Sequence, residues 1–240
     1  MTGRLVGVGV GPGDPELLTL KGLRTLREAD AVFVPVGDGG EPGRAEAVVG
    51  GHLPAERLVR LVFALGDDPA ERERSWDDAG ARVAAALRDG GTAAFATIGD
   101  PNLYSTFSYL AHTVRALVPG VRVETVPGII AMQDLAARSG TVLAEGTERL
   151  ALFPLTASVE RLEQALRVFD TVVCYKGGRH LPRVLEAARA GDRLAGAVYG
   201  AHLGLADEEV RPAQEMEGRT GPYLSTVILT RPRDGRGGRL

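Results

Sequence analysis

Along most of this chain, short apolar runs alternate with stretches in which apolar residues recur at helical spacing. The runs are Leu5–Val10, Ala31–Val36, Arg60–Phe63, Thr92–Ile98 and Val121–Val126, then Arg149–Phe153, Thr171–Tyr175, Ala195–Tyr199 and Leu224–Thr230. They are rich in β-branched residues and read as strands. Between them Trp76, Ala79, Val83 and Leu87 share one helical face, as do Leu103, Phe107, Leu110, Val114 and Leu117, and also Leu162, Leu166 and Phe169. Such stripes are the core-facing sides of helices. The alternation predicts an α/β fold with mostly parallel sheets covered on both faces. The strands fall into two groups parted near Pro127-Gly128. We therefore expect two α/β domains, 1–128 and 129–232, with a ligand cleft between them and a flexible tail at 233–240. Gly37–Gly43, rich in Gly, Pro and Asp, reads as a mobile loop.

Composition narrows the function only by exclusion. The chain has 240 residues, 44% of them hydrophobic and 25% charged, with a formal net charge of −3. These values suit a globular protein and give no reason to expect a nucleic-acid partner. No apolar run reaches the roughly 18 residues that a membrane helix needs. The single cysteine, Cys174, precludes an internal disulfide and fits a reducing cytoplasm. It sits mid-strand between Val173 and Tyr175, so it reads as buried and not nucleophilic. His52, His112 and His202 show no metal-ligand spacing, and no metal site is expected. The acidic run Asp207-Glu-Glu209 reads as a solvated face.

The chemistry concentrates in three glycine-bearing turns at strand ends. The first is Gly7-Val-Gly9-Val-Gly11-Pro-Gly13-Asp-Pro15. Its glycines allow close backbone approach and positive φ, while Pro12 and Pro15 stiffen the turn. It is not the dinucleotide fingerprint G-x-G-x-x-G: counted from Gly7 the third position is Pro12, and counted from Gly9 it is Asp14. Nor does a Lys follow in the spacing of a phosphate-cradling loop. The second turn, Gly99-Asp100-Pro101, closes a strand and precedes a helix. Taken alone it is an ordinary strand-to-helix turn with Asp100 as the cap. The third is Val126-Pro-Gly-Ile129, followed by the helical pattern Ala131–Arg138. Ligands of open α/β sheets bind outside the carboxyl ends of strands, and three such turns in one half of a chain exceed what packing alone requires.

In order and spacing these motifs resemble the tetrapyrrole methyltransferases, over about residues 4 to 230. That family binds S-adenosylmethionine between two α/β domains without the dinucleotide fingerprint. Leu143-Ala-Glu-Gly146, Glu148-Arg149-Leu150, Lys176 and Tyr223-Leu-Ser225 are most similar to members that methylate C20 of precorrin-2 in cobalamin biosynthesis. The resemblance implies S-adenosylmethionine as cofactor, a small-molecule tetrapyrrole substrate, S-adenosylhomocysteine as product, a homodimer and a cytoplasmic enzyme. It implies that Pro12 walls the cofactor site and that Gly99, Asp100 and Pro101 meet the methionine and ribose part of the cofactor, with Tyr104 nearby. Where many relatives carry a Ser or Thr pair this chain has Ile130 and Ala131. Tyr175, Lys176, Gly200, Ala201, Ser225 and Thr226 match positions around the adenine end. Lys176, Arg179 and His180 are candidates for the substrate's carboxylates, and Tyr104 or Asp100 for relaying the proton lost after methylation. Siblings acting on the cobalt-containing substrate or on other corrin carbons, diphthine synthase, and a non-catalytic nucleotide-binding module remain alternatives.

Overall fold

A computed structural model describes residues 3–37, 39–64, 66, 68–155 and 159–233. The chain divides into two compact units, Met1–Ile130 and Ala131–Leu240. The first unit holds strands β1 (Arg4–Gly9), β2 (Ala31–Val36), β3 (Leu58–Val62), β4 (Thr92–Thr97) and β5 (Arg122–Val126). Its helices are α1 (Leu20–Glu28), α2 (Arg44–Gly50), α3 (Pro69–Leu87) and α4 (Phe107–Leu117). The second unit holds α5 (Ala131–Ser139), β6 (Leu150–Pro154), α6 (Val159–Val168), β7 (Thr171–Tyr175), α7 (Leu181–Ala190), β8 (Val198–Ala201), β9 (Glu209–Pro212) and β10 (Ser225–Thr230).

The sheet of the first unit runs β3-β2-β4-β1-β5, every pair parallel. Its central strands are apolar throughout because both faces are covered. Val6 and Val8 of β1 pack with Leu26 of α1 and Val48 and Val49 of α2. On the other face Leu5 packs with Val83 and Leu87 of α3 and Leu110 and Val114 of α4. Gly7 stands on that second face, where a Cβ would lie 2.6 Å from the Phe107 ring. Side-chain caps start the helices: Thr19 Oγ1 accepts from Gly22 N at 3.0 Å for α1, and Asp68 accepts from Ala70 N for α3. The helical stripe expected from Leu103 to Leu117 is shorter than read. Leu103 lies in the turn before α4, and Leu117 is 51% exposed at its end.

In the second unit the order is β6-β7-β10-β8-β9. Only β6 and β7 pair in parallel; β10 is antiparallel to β7 and β8, and β9 to β8. The expectation of mostly parallel pairing holds for the first sheet and needs correction for this one. Helical crossovers α6 and α7 keep β6, β7 and β8 pointing the same way, as parallel neighbours demand. No α-helix precedes β9 or β10, and those strands reverse. Leu162 and Leu166 of α6 and Val184 and Leu185 of α7 cover one face. Leu135 of α5 packs on the other with Val173 and Ile228. Cys174 is fully buried in the first of these faces, and desolvation pushes its thiol up to about 12, as an inert core thiol requires.

Of the loop expected at Gly37–Gly43, Asp38 falls outside the described residues, and the rest contains neither helix nor strand. The expected tail likewise falls outside them from residue 234 onward. Arg233 is described, and it bonds Glu148 and the Val142 carbonyl. Glu148 holds its proton less readily than a free carboxylate, first because of that hydrogen bond from Arg233.

Candidate functional site

The order of the first sheet explains why three turns far apart in sequence meet. β1 lies between β4 and β5, so the segments leaving their carboxyl ends emerge side by side. Val10 N donates to Thr97 O at 2.9 Å, and Gly99 N to Gly11 O at 2.8 Å, in a single antiparallel bridge beyond the strands. Both glycines of that bridge are left-handed, with φ of 88° at Gly11 and 69° at Gly99, which explains glycine at both positions. The third turn presses onto the first two. A Cβ on Gly128 would stand 2.1 Å from the Gly99 carbonyl oxygen and 2.8 Å from Gly9 Cα, and one on Gly9 would stand 2.6 Å from Gly128 N.

Asp100 ties this cluster together. Its Oδ1 accepts from Asn102 N at 2.8 Å, and its Oδ2 accepts from Gly128 N at 3.0 Å. It is not the cap that the local pattern suggested. Thr106 occupies the N-cap of α4, and Ser105 Oγ accepts from Phe107 N at 3.1 Å. The Asp100 side chain therefore spans from the β4 turn to the β5 turn. Pro12 and Pro101 are both buried, and Pro101 fixes the backbone directly after Asp100.

Tyr104 sits in the same loop with φ of 52°, a left-handed backbone carrying a large side chain, and is 43% exposed. Partial burial raises its phenol above the ordinary tyrosine range. Ile130 Cγ2 comes within 3.7 Å of where a Cβ on Gly99 would be. An apolar branch thus flanks that glycine where relatives were expected to place a hydroxyl. One residue that sequence reasoning passed over belongs here: Asn102 Nδ2 donates to Thr125 Oγ1 at 3.2 Å, a second link from the β4 turn to β5.

The candidate residues of the second unit also converge, at one end of its sheet. Register pairs Thr226 with Tyr175 and with Gly200, and Ser225 with Ala201. These are the carboxyl ends of β7 and β8 and the amino end of β10. Lys176 leaves β7 with φ of 58°, donates its backbone N–H to Ser225 O at 3.2 Å and carries its ammonium 5.9 Å from the centre of the Tyr223 ring. Tyr175 Oη accepts from Met132 N at 3.3 Å, one residue after Ala131 at the start of α5. Arg179 and His180 follow in the turn before α7, with Arg179 Nε donating to His180 Nε2 at 3.0 Å. Gly178 in that turn lies against the Gly221 and Pro222 carbonyls, each 2.1 Å from a Cβ built there.

The acidic run Asp207-Glu-Glu209 is no simple solvated face. Asp207 hydrogen-bonds His202, Glu208 accepts from Gly204 N at 2.6 Å and from Arg138 at 2.8 Å, and Glu209 opens β9.

What this arrangement offers chemically is a fixed carboxylate beside three turns whose backbones pack directly on one another. A pinned carboxylate and a phenol in the same loop fit a ligand with hydroxyl or ammonium groups.

A family model described as Tetrapyrrole (Corrin/Porphyrin) Methylases matches residues 4–217. The precorrin-2 C(20)-methyltransferase of a Sinorhizobium species is 35% identical over 237 residues, covering 95% of this chain and 95% of that protein. The probable cobalt-precorrin-2 C(20)-methyltransferase of Methanocaldococcus jannaschii is 36% identical over 231 residues, with 95% and 96% covered. Among solved structures, the uroporphyrin-III C-methyltransferase of Thermus thermophilus complexed with S-adenosylhomocysteine has a TM-score of 0.65 at 22% identity, covering 94% of this chain and 97% of that one. The methyltransferase CobJ has a TM-score of 0.69 at 20% identity, with 98% of each chain covered.

Proposed function

The chain belongs to the tetrapyrrole (corrin/porphyrin) methylases, and on that premise we propose that it transfers the methyl group of S-adenosylmethionine to C20 of precorrin-2 in cobalamin biosynthesis. The observation that carries the reading is the abutment of three glycine turns at the ends of β1, β4 and β5, with Asp100 bonded across two of them.

S-adenosylmethionine supplies a sulfonium methyl already activated for transfer. A partly reduced tetrapyrrole offers an electron-rich ring carbon, so the protein's main task is to hold carbon and methyl aligned at roughly 3–3.5 Å. The rigid turns serve that task. Asp100 receives the hydroxyl or ammonium groups of the donor, and Pro12, Gly99, Pro101 and Ile130 wall the space around it. In the second unit Tyr175, Gly200, Ala201, Ser225 and Thr226 hold the adenine end, and Ala131 lines the cofactor where relatives carry a hydroxyl. Lys176, Arg179 and His180 meet substrate carboxylates.

Methyl transfer to a carbon that bears hydrogen releases a proton. Tyr104 keeps its own proton in the neutral range, because burial raises its phenol. It therefore acts as a hydrogen-bond donor, and Asp100 is the group with acceptor capacity. Tyr104→Phe is expected to leave the single-turnover rate of methyl transfer within about twofold. A fall of about a hundredfold, the usual size of lost acid–base catalysis, would return Tyr104 to the proton path.

We place this work in the cytoplasm and in a homodimer; the lone, buried cysteine and the resemblance support that reading. Among the described residues no helix is long and apolar enough to cross a membrane. The decisive experiment incubates the protein with S-adenosylmethionine carrying a labelled methyl, in parallel with precorrin-2 and with its cobalt complex. We expect a single labelled methyl at C20 by NMR and mass analysis. Label at another ring carbon, or none with either substrate, would refute the proposal. The cobalt arm decides between the two substrates named for the relatives above.

A further inference from the structure

β8 ends at Ala201, and the next residue, His202, has φ of 52°. A side chain rarely adopts that conformation, and such outliers persist where the surroundings impose them. Here the surroundings do. Leu205 N donates to His202 O at 3.0 Å, and Leu203 is buried against the core of the second unit. Glu208 fastens the loop, accepting from Gly204 N and from Arg138, whose Nε also donates to Asp134 at 2.8 Å. The loop thus presents His202 in one fixed place, with its side chain one quarter exposed, at the sheet end where Ala201 pairs with Ser225.

His202 Nδ1 is hydrogen-bonded to the Asp207 carboxylate. An ionised carboxylate only accepts, so Nδ1 carries the hydrogen, and in the neutral ring Nε2 is left as an acceptor. The partner such an atom selects is a donor. Among groups of the cofactor proposed to lie at this sheet end, the adenine ring offers one donor on its edge, the 6-amino group.

We propose that His202, held in this tautomer by Asp207, accepts a hydrogen bond from the 6-amino group of the cofactor's adenine and thereby selects adenine over 6-oxopurine. This rests on the reading above that the purine lies beside Gly200, Ala201, Ser225 and Thr226. The two residues act as a unit: Asp207 positions, and His202 reads.

The test uses the full chain and calorimetry with two ligands, S-adenosylhomocysteine and its deaminated counterpart S-inosylhomocysteine. The unsubstituted protein is expected to prefer the adenosyl ligand by about tenfold or more, the scale of one good hydrogen bond. Asp207→Asn lets an amide donate to Nδ1 and moves the ring hydrogen to Nε2. That change is expected to erase the preference or turn it toward the inosyl ligand, and a reversal is what no loss of structure would produce. His202→Gly suits the left-handed backbone and removes the ring, and should bring the two affinities within about twofold. A preference that survives both substitutions, or an equal loss of both ligands, overturns the inference while leaving the cofactor reading intact. Failure of the unsubstituted protein to bind S-adenosylhomocysteine overturns that reading itself, and the inference with it.

Discussion

Replacing Asp100 by alanine is expected to lower kcat/KM at least about a hundredfold while weakening S-adenosylhomocysteine binding in calorimetry. The carboxylate has two structural partners, Gly128 N at 3.0 Å and Asn102 N at 2.8 Å, before any ligand is considered. Hydrogen bonds to a charged acceptor contribute about 1.5–3 kcal/mol each, and a donor left unmet inside the cluster adds to the loss. The β5 turn would then no longer be tied to the β4 turn. A shift of about 1 Å in groups that align a reaction is enough for a hundredfold loss. Asp100→Asn separates the two contributions: its amide oxygen can keep one backbone N–H but not the charge. If the alanine variant binds S-adenosylhomocysteine and turns over as the parent does, Asp100 is no part of the site.

The second large effect is expected from Gly128→Ala. The added methyl carbon would stand 2.1 Å from the Gly99 carbonyl oxygen and 2.7 Å from the Gly9 carbonyl carbon, both backbone atoms that cannot turn aside. Overpacking of this kind costs about 1–3 kcal/mol where side chains can yield, and the backbone contacts here place it at the upper end or above. Loss of activity should exceed loss of stability, because the strain falls on the turns themselves. Gly50→Ala is the matched control. It lies in α2 with nothing within 4 Å of the new carbon, and alanine suits a helix. It should melt at or slightly above the parent temperature with unchanged kcat. Equal behaviour of the two variants in thermal melts and turnover would show that the crowding at Gly128 is harmless.

Much of this was legible in the sequence, for identifiable reasons. A central strand covered on both faces writes itself as an unbroken apolar run, so β1, β2, β4 and β7 were recoverable to within a residue or so. The glycines were visible as a cluster because Gly11 and Gly99 need positive φ and Gly9 and Gly128 need close backbone approach. Their partners were not. That Asp100 reaches Gly128, 28 residues on, depends on β1 lying between β4 and β5, which no local pattern encodes. The same holds for His202 and Asp207, whose spacing matches no helical or strand period. The four residues of β9 lay hidden because an edge strand carries charge, and the run that opens it, Asp207-Glu-Glu209, reads as a solvated face. The direction of β10 was missed because the alternation of strands and helices, the cue for parallel pairing, ends at β8.

That last strand has a consequence for how the protein is made. β10 is the last strand among the described residues, yet it fills the middle of its sheet, between β7 and β8. Until residues 225–230 have left the ribosome, those two strands lack their shared neighbour and expose facing edges to other nascent chains. The first unit, whose strands all precede residue 127, can be complete by then. The folded first unit thus waits on one late insertion, and a message truncated before residue 225 should yield aggregate instead of a shortened enzyme.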